Sequence, residues 1–297
     1  MKSTYLFDYN CTIAPLIKTW TKREEACTFM ENIKFDFFGK QINGIFMEVL
    51  EHGLYSGDRS WRFSRVNSPF NRLYFILDGE AFVEDARGKI RLEAGNMYLI
   101  PLETNYDYYC DSHFRQFYIH FRLELFSGFD VFKAVDRCLS LPYHVPDVEG
   151  FLEKTKSERL SDIVSCKGFI MDSVAHLMEP VGQNISDRME SAYKYRSLYQ
   201  YIKENCNAGL SVKKLSQSLK RSESGISKSF RQDTGLTLKN YIDSAVIQAA
   251  KEKILLTDMS IKEIAYSLKF TDEFYFSRFF KRHTGFSPRE YGLRNKM

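Results

Sequence analysis

Apolar and polar positions follow two different rhythms along this chain. Residues 1 to about 140 carry short apolar runs separated by turn signals. LYFIL (73–77) precedes Asp78-Gly79, AFVED (81–85) precedes Arg87-Gly88, and KIRLEAG (89–95) leads into NMYLIP (96–101). Strands at such even spacing predict a sandwich or barrel. In QFYIHFRL (116–123) a period of two sends Phe117, Ile119, Phe121 and Leu123 to one face, and Gln116, Tyr118, His120 and Arg122 to the other. From 147 to 179 the rhythm changes. Phe151, Leu152, Ile163, Val164, Ile170, Val174, Leu177 and Met178 recur at steps of three and four, as in amphipathic helices. Pro180-Val181-Gly182-Gln183-Asn184 interrupts that pattern and reads as a linker. From Ser191 the helical period resumes.

Inside the last hundred residues the chain repeats itself. SKSFRQDTG (227–235) matches SRFFKRHTG (277–285) at a shift of fifty, and Tyr241 matches Tyr291 at the same shift. SVKKLSQSLK (211–220) matches SIKEIAYSLK (260–269) at forty-nine, so the extra residue falls in the turn between. The pattern predicts one helix–turn–helix unit used twice. Ser211 and Ser260 are placed to cap the first helix of each unit, Ser222 and Thr271 the second. Gly235 and Gly285 stand where a helix stop needs positive φ. On a helical wheel Ile226 and Phe230 share one face of the first unit's second helix, with Ser224, Ser227, Lys228 and Arg231 away from it. Phe276, Phe279, Phe280 and His283 share one face in the second unit; Phe274, Ser277, Arg278 and Lys281 lie away, Phe274 being an exposed ring. Between the units, residues 238–256 read as a connecting helix with Tyr241, Ile242, Val246, Ala249 and Ala250 as its apolar stripe. At 1.5 Å per residue it spans roughly 28 Å, which suits two helices held near one turn of B-DNA apart, about 34 Å.

Charge sharpens this picture. The formal net charge of +4 is uneven: residues 191–297 hold 20 Lys and Arg against 10 Asp and Glu, and residues 1–190 hold 22 against 28. A basic helical part on an acidic β part points to a polyanion as partner. The exposed faces lack the aromatic platforms of single-strand RNA readers. The six cysteines are scattered without a CxxC pair, which argues against a zinc cluster or disulfide framework and for a cytoplasmic setting. No signal peptide follows Met1-Lys2-Ser3, and no apolar run nears the ~18 residues of a membrane span.

The C-terminal hundred residues resemble the AraC/XylS family of bacterial transcription regulators. IKEIAYSLKF (261–270), FSRFFKRHTGFSPREY (276–291) and the paired unit upstream carry the resemblance. It implies two helix–turn–helix units that bind double-stranded DNA at a promoter or operator, with Ser224, Ser227, Lys228, Glu273, Phe274, Ser277 and Arg278 facing the DNA. Arg278 is suited to guanine O6 and N7, Phe274 to a thymine methyl, and Glu273 to cytosine N4. Arg231, Lys281 and Arg282 are placed for phosphates. The chain departs from the family pattern at Lys269, where glycine is usual, at Val246, where arginine is common, and at Ser216, where alanine is usual. Lys269 puts the turn of the second unit in question.

The family often carries an N-terminal barrel of cupin type that senses a small molecule, and FILDGEAFVEDARGKIRLEAGNMYLIP (75–101) looks like its core. His113 and His120 stand alone, LETNYDYY (102–109) follows the proline, and no phosphate loop or nucleophile constellation is present. No metal, no cofactor and no enzymatic activity are therefore expected. Trp61, Arg62, Tyr106, Tyr108, Tyr118, His120 and Arg122 combine ring faces with polar groups and are the expected effector-binding set, with a carbohydrate as first candidate. The expected fold is an α+β multidomain chain: a cupin-like β-barrel effector domain over 1–146, a helical dimerisation segment and linker over 147–190, and an all-α double helix–turn–helix domain over 191–297. The expected function is a homodimeric, DNA-binding transcription activator that contacts RNA polymerase, with Val174 and Leu177 at the subunit interface. Two readings of other classes stand beside it: a cupin-type enzyme with a nucleic-acid-binding tail, and an effector-independent architectural DNA binder.

Overall fold

A computed structural model describes residues 42–182, 185 and 192–295. Cys11, Cys27, the Met1-Lys2-Ser3 start, most of the expected linker end (Gln183, Asn184) and Ser191 lie outside the described residues. The chain forms two compact units, Met1–Gly44 and Ile45–Met297, and the second holds everything that follows. Among the described residues no helix is long and apolar enough to cross a membrane.

Among the described residues nine antiparallel strands come first: β1 (Phe46–Asp58), β2 (Arg62–Val66), β3 (Asn71–Asp85), β4 (Gly88–Glu93), β5 (Asn96–Ile100), β6 (Tyr106–Tyr109), β7 (His113–Phe126), β8 (Phe129–Asp130) and β9 (Leu139–Pro142). One row runs β1-β7-β3-β5-β9; β2 pairs β6, and β6 and β4 pair the far end of β3. The fifteen-residue β3 thus serves both sheets. Gly79 lets it turn between them: its φ is +66°, and a Cβ there would meet the His113 carbonyl oxygen at 2.2 Å.

The two faces of β7 have different neighbours. Phe117, Ile119, Phe121 and Leu123 join Leu73 and Phe75 of β3 in a core closed by helices α1 (Val145–Lys154) and α2 (Leu160–Met178). Tyr118 lies with Tyr74, Ile76, Tyr98 and Tyr108 in a second core between the sheets. The polar face expected at Gln116 and His120 therefore points inward, and both residues are buried. Such a strand is covered on both sides, which its alternation alone does not reveal.

Helix α2 departs from expectation. Val174 and Leu177 are 1% and 0% exposed and belong to the core shared with the sheet, so they do not form a free subunit surface. The exposed apolar side chains of α2 are Leu160, Ile163 and Val164.

Seven helices complete the described chain: α3 (Arg196–Glu204), α4 (Val212–Ser218), α5 (Glu223–Thr234), α6 (Leu238–Leu256), α7 (Ile261–Ser267), α8 (Glu273–Thr284) and α9 (Pro288–Asn295). Leu238, Tyr241 and Ile242 of α6 fill one core with α3, α4, α5 and the end of β7. Val246, Ile247, Ala250 and Ile254 fill another with α7, α8 and α9.

Because Leu177 faces the sheet, Leu177→Asp is expected to lower stability by about 4 kcal/mol or more, as an uncompensated charge in a packed core does. Thermal melting followed by circular dichroism checks this. An unchanged melt with a halved mass in solution would return the residue to a subunit interface.

Candidate nucleic-acid interface and the seam behind it

Each helix–turn–helix unit is built from local hydrogen bonds. Ser211 caps α4 through Lys214 N at 3.3 Å, and Ser222 caps α5 through Gly225 N at 3.2 Å. Ser260 and Glu263 form a reciprocal capping box on α7. On α8 the cap is Asp272, which accepts from Tyr275 N at 2.7 Å, and not Thr271. The helix begins one residue later than expected, so the extra residue of the second repeat is taken up before its cap. Gly235 and Gly285 end α5 and α8 at φ 73° and 81°.

The turns inside the units also match. Lys220 and Lys269 both adopt positive φ, 51° and 57°. The Lys269 departure thus leaves the turn intact; its lysine takes the left-handed conformation that glycine takes at less cost.

These turns set which side chains α5 and α8 expose. Ile226 and Phe230 are buried, while Ser224, Lys228 and Arg231 are exposed and Ser227 is half-buried. Ser227, Lys228 and Arg231 line an open cleft of about 600 Å³ with Lys239 of α6. On α8, Phe276, Phe279 and Phe280 are buried; Arg278 and Lys281 are exposed, and Glu273 and Ser277 are half-buried. Phe274 is 68% exposed, an unpacked ring beside a cation. Arg282 leans on the Phe279 ring, 5.6 Å from its centroid. The wheel separation of rings from charges holds in three dimensions.

The expected effector set is only partly brought together. Trp61, Tyr106 and Tyr108 are buried between the sheets, with Trp61 edge-on to Tyr108 at 5.7 Å. Burial pushes the Tyr106 and Tyr108 hydroxyls up to about 12. Tyr118 packs against that core and lies beside His120 at 5.0 Å, and its hydroxyl donates to Glu51 Oε1 at 3.2 Å. His120 stacks on Phe70 at 4.6 Å, and its Nδ1 lies 3.0 Å from Glu51 Oε2. Burial outweighs that carboxylate and holds the imidazole down at about 4, so it is neutral at pH 7. Arg62 lies apart, exposed and paired with Asp111 at 3.1 Å. Arg122 also lies apart: it pairs with Glu48 and with Glu252 of α6, each at 2.7 Å. Among the described residues no three His, Cys, Asp or Glu side chains gather as metal ligands.

Arg122 belongs to a seam between the β part and the helix–turn–helix part. Lys203 of α3 meets Glu124 at 2.6 Å. Lys251 of α6 donates to Asn67 Oδ1 at 2.6 Å, and burial lowers its ammonium to about 8. Gln248 of α6 donates to the Pro69 carbonyl, the Tyr291 hydroxyl of α9 donates to the Asn67 carbonyl, and Asn67 N–H donates to Asn295 Oδ1. A cavity of about 330 Å³ lies along the seam, lined by Arg122, Glu124, Lys133, Lys203, Tyr241 and Glu252 among others. The partners are 79 to 228 residues apart in sequence, and no local pattern marks them.

Comparison with known proteins gives this architecture its class. Residues 215–294 match the helix–turn–helix domain family. Over 240 residues the chain is 24% identical to an uncharacterised helix–turn–helix-type transcriptional regulator of Staphylococcus aureus strain COL, covering 77% of this chain and 32% of that one. A similar regulator of Escherichia coli K12 is 24% identical over 149 residues, 49% of this chain and 53% of that one. The arabinose operon regulatory protein of the same organism is 30% identical over 115 residues, 38% of this chain and 39% of that one. The chain thus spans from a third to about half the length of these curated relatives. In fold it is similar to ToxT of Vibrio cholerae, solved at 1.65 Å, with a TM-score of 0.53 and 16% identity over 84% of this chain and all of that one. An unsaturated-fatty-acid-bound ToxT is similar at a TM-score of 0.52, 16% identity and 83% and 96% coverage. The C-terminal part of the chain thus carries a helix–turn–helix domain of the AraC type.

Two outcomes follow from the local chemistry. Lys269→Gly is expected to stabilise the protein by about 0.5–1 kcal/mol, read from urea unfolding, because glycine accepts positive φ without a Cβ penalty. His120 is neutral in the folded state and binds a proton more readily once unfolded. Its contribution is complete above its ordinary 6.5 and is lost as pH falls toward 4. Asp130 acts in reverse. Burial raises it from 3.8 to about 6, so its contribution is present at low pH and lost as pH rises through that window. His120→Phe is therefore expected to lose about 3 kcal/mol less stability than the wild type between pH 7 and pH 4. Parallel acid-side curves in urea would refute the neutral imidazole.

Proposed function

We propose that this chain is a sequence-specific DNA-binding transcription regulator whose β part senses a small-molecule effector. The observation that carries it is the pair of matched helix–turn–helix units on one helix, each with one apolar face buried and a polar, basic face exposed. Helices α5 and α8 enter successive major grooves of double-stranded DNA. Arg278 reads guanine, Phe274 a thymine methyl and Glu273 cytosine N4, while Ser224, Ser227 and Lys228 read the other half-site and Arg231 and Lys281 hold phosphates. Two subunits pair through the exposed Leu160, Ile163 and Val164 of α2, and the DNA-bound protein acts on RNA polymerase. No enzymatic step is proposed.

Effector and DNA are linked through the seam. α6 carries Gln248, Lys251 and Glu252 to the β part and also builds both DNA-facing cores. A ligand that favours one arrangement of that seam shifts the population of DNA-binding geometries. A sugar, the first candidate from sequence, suits Trp61, Tyr106 and Tyr108 only once these rings part from their present packing.

Footprinting of the full-length protein upstream of its own and neighbouring genes, at two salt concentrations, tests the reading. A discrete site across adjacent major grooves supports it; diffuse protection that salt removes opposes it. Arg278→Ala is expected to weaken binding by about 1–3 kcal/mol and relax one base position. Lys281→Ala is expected to weaken all sequences alike and lower the salt slope by about one. Phe274→Ala is expected to erase any preference for thymine over uracil at one position, read by titration on uracil-substituted duplexes.

A further inference from the structure

Arg72, on β3, is 2% exposed, yet its Nε and Nη2 have no hydrogen-bond partner among the described residues. A guanidinium keeps its charge at any pH a folded protein meets, so burial cannot neutralise it. A buried charge without an acceptor is strongly unfavourable. Glu51, a carboxylate its charge reaches, is held by His120 and Tyr118 instead. Phe70 and Tyr108 have their ring centroids 5.3 and 5.5 Å from its central carbon, and the Tyr108 hydroxyl is a hydrogen-bonding neighbour of the guanidinium.

The two unpaired nitrogens share one edge of the group. Nε–H and Nη2–H lie side by side on it and point the same way, which is the fork that receives the two oxygens of a carboxylate. A single cation balances a single negative charge. A phosphate dianion would bring excess charge beside the Phe70 and Tyr108 rings.

The position has a consequence for control. Phe70 and Arg72 directly follow Asn67 and Pro69, the loop that receives Lys251, Gln248 and Tyr291 from the DNA-facing helices. From the unpaired edge and this placement, we infer that Arg72 is the anchor for a carboxylate-bearing effector, held bidentately at Nε and Nη2 beside the seam. This rests on the reading of the β part as a sensor, and it names the ligand class.

The test uses the full chain in carboxylate-free buffer, with acetate, benzoate and decanoate as probes and benzamide as the neutral match for benzoate. Binding is read from Trp61 fluorescence, since that ring lies 5.7 Å from Tyr108, and from the melting temperature. At least one carboxylate is expected to raise the melting temperature by about 5 °C at a hundredfold excess over its Kd, and benzamide to leave it unchanged. Arg72→Met and Arg72→Lys are expected to weaken that carboxylate tenfold or more. Lys keeps the charge without the fork, and covers the case in which Met fails to fold. No shift of the wild type by any of the three probes, or a shift that survives in both variants, overturns the assignment. Footprinting separates the two readings. A discrete DNA site without a carboxylate response sinks only the Arg72 anchor. A carboxylate response without a discrete site supports the anchor and sinks the regulator.

Discussion

Helix α6 has to satisfy three neighbours at once. Its first turns close the core of one helix–turn–helix unit, its later turns close the other, and Gln248, Lys251 and Glu252 meet the β part. Nineteen residues at 1.5 Å each give a stiff rod, so the two units cannot shift relative to each other without bending it. The placement of α5 and α8 is therefore a property of α6 and of whatever holds α6.

What holds it is partly apolar, since Leu125, Phe126 and Phe129 of the β part share a core with Leu238, Tyr241 and Ile242, and partly polar. The seam is made of ion pairs and hydrogen bonds, with Arg122, Glu124, Glu252 and Lys251 partly or wholly buried. Desolvation offsets most of the attraction in such pairs. A seam of this kind resembles the polar contacts between domains that move, more than the apolar cores on either side of it.

The C-terminal half was largely legible in sequence because its determinants are local. A cap needs its acceptor three residues from the donor, a helix stop needs its glycine next to the last turn, and a buried face needs rings three and four apart. All of these repeat twice, at shifts of forty-nine and fifty, which marks the unit independently of any one residue. The cap at Asp272 in place of Thr271 shows how the two shifts compete: both residues can accept a hydrogen bond, and the shift of fifty that relates the second helices, not the forty-nine of the first, carries Ser222 onto the observed cap. The positive φ shared by Lys220 and Lys269 likewise has no marker in lysine itself.

The sequence by itself determined the strands from Leu73 to Leu123, the helix pair, the repeated unit and the side of α5 and α8 that is exposed, since those follow from periodicities shorter than ten residues; Asp78-Gly79, which reads as a turn, lies inside β3. Tertiary structure alone decided the rest. The polar row of β7 is buried because a second sheet folds over it, and Val174 and Leu177 serve the sheet because α2 lies across it. Arg122, an effector candidate from its strand position, became a seam residue because Glu252 comes to it from 130 residues away. Arg72 drew no notice in the sequence, where a lone arginine in a strand is ordinary. It matters only because the fold encloses it and provides no acceptor for one edge.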